Sequence, residues 1–146
     1  MKTQKLISFM GMGVFFLFLQ LNINAQNHPY YLHALSNLRA ARWQIEHRPG
    51  NWQQTVDEVD AVKRIDETIN EIKKASIDDH KDINDHPQQA EVPDHIGRLH
   101  KAADFLRDAR ADINKEEDNG NAQGLQARAL KHLNEAIHLV EKAIKA

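Results

Sequence analysis

The phrase Leu38-Arg39-Ala40-Ala41-Arg42, followed by Ile45, recurs as Leu106-Arg107-Asp108-Ala109-Arg110, followed by Ile113. The same offset, with no gap, pairs Ala61, Lys63, Glu67, Ile69, Lys74 and Ala75 with Ala129, Lys131, Glu135, Ile137, Lys142 and Ala143. A chain that repeats itself this way reads as a duplicated helical unit, because the shared apolar positions recur at the three- and four-residue spacing of a buried helix stripe.

The repeat starts only after an N-terminal stretch of different character. Lys2 and Lys5 precede an apolar run from Leu6 to Leu21, and Ile23-Asn24-Ala25 supplies a small residue before a cleavage site. Residues 1–25 therefore read as a signal peptide cut after Ala25, which makes the protein exported, periplasmic or secreted. The competing reading is an uncleaved anchor, and the run is shorter than the about 20 residues a spanning helix prefers. After cleavage no membrane association is expected. No cysteine occurs among the 146 residues, which excludes disulfides, thiol catalysis, lipobox attachment and covalent haem. A formal net charge of -2 without a Lys/Arg block gives no nucleic-acid bias.

Punctuation divides residues 26–146 into four helices in one domain. The first spans about 28–47, capped by Asn27 with Pro29 in the first turn, and is stopped by Arg48-Pro49-Gly50-Asn51. The second, 52–76, is capped by Asn51 and carries Val59, Val62, Ile65, Ile69 and Ile72. A polar linker, 77–93, separates copy one (27–76) from copy two (94–146) and reads as a surface loop. The third helix follows Pro93-Asp94 to about Lys115, with Ile96, Leu99 and Leu106 on its stripe. After an acidic turn, 116–124, the fourth reaches about Lys145. The expectation is all-α, an antiparallel four-helix bundle of two helical hairpins running up, down, up and down.

Two sets of polar residues stand out. Arg42 and Arg110 fall on the apolar stripes, where a charge needs a partner. Counting heights from the turns pairs Arg42 with Glu58 and Arg110 with Gln126 or a carboxylate from the other copy, a structural polar layer at the end carrying the intra-copy turns. The functional alternative is an anion site of Arg39, Arg42, Arg107 and Arg110. The second set is the histidines. In the alternating topology His28, His33, His95, His100 and His138 share the other end, joined by His80 and His86 with Asp78, Asp79, Asp82, Asp85 and Asp94 from the linker. Imidazole with carboxylate suits zinc, copper or nickel. Against a metal, His33 and His138 project away from their stripes, which suits solvent-exposed side chains. A ferritin-type di-iron site lacks its repeated ExxH motif, and the linker lacks the glycine of a calcium loop.

At the level of architecture the mature chain resembles small exported bacterial helical-bundle proteins without an assigned activity. It is also similar in architecture to bundles of the cytochrome b562 type, but that pattern wants an axial Met. Met1, Met10 and Met12 all lie in the signal, and His33 with His138 would have to serve instead, so the sequence speaks against haem. No catalytic constellation is recognisable. The expected function is a binding or structural module of the cell envelope with an unidentified protein partner, Trp43, Trp52, Tyr30 and Tyr31 being available for contact. The alternative is transition-metal binding at the inter-copy end. Either oligomeric state fits.

Overall fold

The computed structural model describes residues 28–47, 52–75, 79–115 and 123–146. The signal peptide, the Asn27 and Asn51 caps, the turn 48–51, the first two linker positions and most of the turn 116–124 lie outside the described residues. Four α-helices and no strands make up what is described: α1 (Pro29–Glu46), α2 (Val56–Lys74), α3 (His95–Lys115) and α4 (Gln123–Ile144).

Local chemistry sets the helix starts. Pro29 opens α1, and His28 supplies no side-chain cap. The second helix starts four residues later than expected, because Thr55 takes the cap: its Oγ1 accepts from Glu58 N–H at 3.3 Å while Glu58 Oε2 accepts from Thr55 N–H at 2.6 Å. This reciprocal box satisfies two donors that a helix start leaves bare. At α3, Asp94 Oδ1 accepts from Gly97 N–H at 3.0 Å.

The helices pack as a ring in the order α1, α2, α4, α3, each against two neighbours, with α1/α4 and α2/α3 on the diagonals. Arg98 at the start of α3 donates to His47 O at the end of α1, and Lys115 at the far end of α3 lies over the Tyr30 ring at the start of α1. So α3 runs opposite to α1. Every adjacent pair is antiparallel, as expected, but the order is up, down, down, up rather than alternating. The cause is the crossover between α2 and α3. Its roughly 20 residues can reach about 60 Å when extended, twice the about 30 Å length of a 20-residue helix. It returns along the whole bundle before α3 begins.

The interior is a stack of small and branched side chains: Tyr31, Ala34, Leu35, Leu38, Ala41 and Ile45 from α1 meet Leu99, Ala102, Ala103, Leu106, Ala109 and Ile113 from α3, with Ile65, Ile69, Ile72, Leu133, Ala136 and Val140 from α2 and α4. Val59 and Ile96, expected on the stripes, are exposed. In the first turn of α2 the buried position goes to Glu58, fully withdrawn from solvent, because its carboxylate serves both the cap and His95.

Candidate binding groove between α2 and α4

The crossover is strapped onto α1 by the first arginine of the repeated phrase. Arg39 is 2% exposed. Its Nε donates to Asp82 O at 2.9 Å, its Nη1 and Nη2 to the two Asp79 carboxylate oxygens at 2.5 and 2.9 Å, and Nη2 also to Lys81 O at 3.3 Å. Between the Asp79 carboxylate and the Lys81 and Asp82 carbonyls that surround this guanidinium, His80 has φ 56, a left-handed conformation that costs a non-glycine residue about 1 kcal/mol. Further along, Arg42 Nη1 donates to Asn84 Oδ1 at 2.8 Å, and His86 packs its ring 4.8 Å from Trp43. The Trp43 ring also stacks on His47 at 4.4 Å and carries the Arg98 guanidinium at 5.5 Å. By bonding His47 O, Arg98 caps the end of α1, where the helix dipole favours a cation.

Burial works against a charged Asp79, yet the Arg39 hydrogen bonds and the Lys81 N–H hold its carboxyl below the usual carboxylate range. Hydrogen bonds from Lys74, Arg64 and Arg107 likewise depress Glu71, Glu67 and Glu141. A carboxylate depressed in the folded state contributes stability above its unfolded pKa and loses it as pH falls through the folded value. Asp66 runs the other way: burial raises it, against the pull of Arg42, so acid relieves its cost. With four depressed groups against one, the urea midpoint should fall as pH drops below about 4.5. The Asp79→Asn variant should fall less steeply over that range, and an equal slope would remove Asp79 from the account.

Arg42 lies half-buried at its stripe, but Arg110 is exposed, and neither meets the partner expected for it. Arg42 does not meet Glu58. It bonds Asp66 Oδ1 through Nε at 2.9 Å, with Glu46 on its own helix, and Arg110 bonds Asn134 Oδ1 at 3.4 Å. The late start of α2 shifts it along α1 and brings Asp66 to the height of Arg42. Glu58 instead lies 2.7 Å from His95 Nε2, and Gln126 Nε2 donates to Ile113 O at 2.8 Å. The four arginines do not converge either: Arg39 is sealed under the crossover, whereas Arg107 is exposed between Asp104 and Glu141.

The helix order also separates the histidines. His28 and His33 stand at the end where α1 starts; His95, His100 and His138 belong to the opposite end; His80 and His86 lie on the crossover between. His28 stacks on Tyr31, His33 on the edge of Tyr30, His95 on Trp52 and His86 on Trp43. Among the described residues no three His, Asp or Glu side chains come together to hold a metal ion.

What the sequence did not single out is a ladder of ion pairs along the α2/α4 seam. Asp57 meets Lys142 at 2.8 Å, Arg64 meets Glu135 at 2.9 Å, Glu67 meets His132 at 3.1 Å and Glu71 meets Arg128 at 2.9 Å. Positions rise on α2 and fall on α4 in equal steps, the mark of one antiparallel register. The same steps put Asp60 opposite Leu139, between the first and second rungs, where no pair can form. A groove of about 530 Å³ opens there, lined by Asp60, Lys63 and Arg64 from α2 and by Asn134, Glu135, His138 and Leu139 from α4. Its volume lies within the roughly 300–1,000 Å³ typical of small-molecule sites. Arg64 is shared between Glu135 and Glu67; Asp60, Lys63 and His138 make neither ion pair nor hydrogen bond among the described residues. Compared with known proteins, the chain matches no family model, no curated protein and no solved structure.

Proposed function

We propose that this protein is an exported binding or structural module of the cell envelope that engages its partner through the α2/α4 groove. One observation carries the reading: along a seam laced by salt bridges one rung is missing, and a groove whose Asp60 and Lys63 form no salt bridge sits at that place. Export is supported by the Lys2 to Ala25 pattern. No helix among the described residues is long and apolar enough to cross a membrane.

Duplication accounts for the gap. The six core residues of α1 correspond to those of α3 at the offset of the repeated phrase, from Tyr31 with Leu99 to Ile45 with Ile113. Contacts follow the same offset: Arg42 with Asp66 answers Arg110 with Asn134, and Arg64 with Glu135 answers His132 with Glu67. The counterpart of Glu71 with Arg128 would be Leu139 with Asp60, so divergence of the two copies removed one charge pair.

Leu139→Arg restores that rung. An exposed ion pair contributes about 0.2–1 kcal/mol, comparable to the packing lost with Leu139, so the melting temperature should move by only a few degrees. Occupancy of the groove should be abolished. A photo-cross-linking residue at Asn134, an exposed groove position, in cells producing the full chain, should give adducts in the envelope fraction that disappear in the Leu139→Arg background. A chain retained in the cytoplasm, or adducts indifferent to Leu139→Arg, overturns the reading.

A further inference from the structure

The groove is chemically lopsided in a way that narrows its ligand. On α2, Asp60 and Lys63 lie one helical turn apart, both exposed and of opposite charge, and neither forms a salt bridge or hydrogen bond among the described residues. Across the groove His138 adds a second cationic or hydrogen-bonding group, and half-buried Leu139, packed against the core, gives an apolar floor. Arg64, held between Glu135 and Glu67, closes one side with its guanidinium already committed. A simple anion would meet Lys63 but face Asp60, and a simple cation would meet Asp60 but face Lys63. Each would satisfy one charge and be opposed by the other.

Resting on the reading of the groove as the binding face, we infer that it takes a zwitterion: an amino acid or short peptide with both termini free and an apolar side chain. The ligand's ammonium pairs with Asp60, its carboxylate with Lys63 and His138, and its side chain covers Leu139. Both opposed charges are then matched by one molecule, and apolar contact supplies the non-directional part of the affinity. Because the charged groups are exposed, each pair is worth little, and the affinity is set in the millimolar range rather than below it.

The test is an amide-shift NMR titration of the purified protein with the dipeptide leucyl-leucine, its N-acetyl form and its C-terminal amide. Leucyl-leucine should give saturable shifts at α2 and α4 amides around Asp60 and Leu139, and each capped form should bind about two- to fivefold more weakly. Asp60→Asn should erase the penalty of acetylation and leave that of amidation; Lys63→Gln should do the reverse. Both side chains are exposed, so neither change threatens the fold. Equal binding of all three peptides, or no saturable shift at concentrations on the order of 10 mM, overturns the zwitterion. If the peptides fail while the probe at Asn134 still cross-links in cells, only the ligand class is wrong. Failure of both experiments removes the groove as a binding face.

Discussion

Replacing Arg39 with leucine should lower the unfolding free energy by about 3 kcal/mol, because it removes one partner of a buried ion pair and leaves the other behind. Asp79 then keeps its charge in a half-buried site with only Lys73 beside it, at 3.8 Å, and the Lys81 and Asp82 carbonyls each lose one of two donors. For a domain of this size that is a drop in melting temperature on the order of 10 °C. The crossover should also come loose from α1, so trypsin should cut at Lys81 sooner than in the parent protein. The equivalent change at the repeated position, Arg107→Leu, should cost no more than about 1 kcal/mol, since Arg107 pairs with Asp104 and Glu141 in solvent. Asp79→Asn made on top of Arg39→Leu should cost less than Asp79→Asn alone, because the stranded charge is removed and only the longer Lys73 contact is lost with it. Urea denaturation of the four proteins reads all of this. Equal losses at Arg39 and Arg107 would mean that the crossover does not lean on Arg39.

That contrast shows what a repeat conveys and what it hides. The two arginine phrases are alike in sequence, so periodicity assigned both to the same face, and their helices and core positions lie close to where the spacing put them. Their fates diverge because the crossover passes over one copy only. Periodicity describes a helix relative to itself; it does not say which way the next helix points. The direction of α3 was still open to inference, since a linker long enough to span the bundle permits either order. Assuming the alternating one gathered the histidines at one end and set Arg42 against Glu58. The cap at Thr55 was readable as well: Thr55 and Glu58 have the spacing of a capping box, yet Asn51 beside the proline-glycine turn was preferred. The groove needed the one fact that the repeat cannot supply, the register of α2 against α4. Once that register is known, Asp60 and Leu139 stand out as a mismatch.

The second large effect is expected at Glu58. Its side chain is fully buried, accepts the Thr55 N–H, and lies 2.7 Å from His95 Nε2 beneath the Trp52 ring, which is 4.5 Å from the imidazole. Glu58→Ala should cost about 2–4 kcal/mol: about 1 from the lost cap and the remainder from the cavity and the partner left without its acceptor. Glu58→Gln keeps an acceptor for Thr55 and should lose less. The contact matters because α2 and α3 are diagonal helices that do not pack along their lengths. Glu58 with His95 ties their first turns across the end of the bundle, so a local substitution should loosen both helix starts. Hydrogen exchange should therefore quicken at the first turn of α3 as well as of α2 in Glu58→Ala. A double-mutant cycle with His95→Ala should give a coupling of at least about 1 kcal/mol. Salt should barely change it, because a buried pair is little screened, whereas the exposed rung between Asp57 and Lys142 should weaken as salt rises. If the cycle closes with no coupling, the carboxylate serves only its own helix, and the ring contact between Trp52 and His95 holds that end of the bundle.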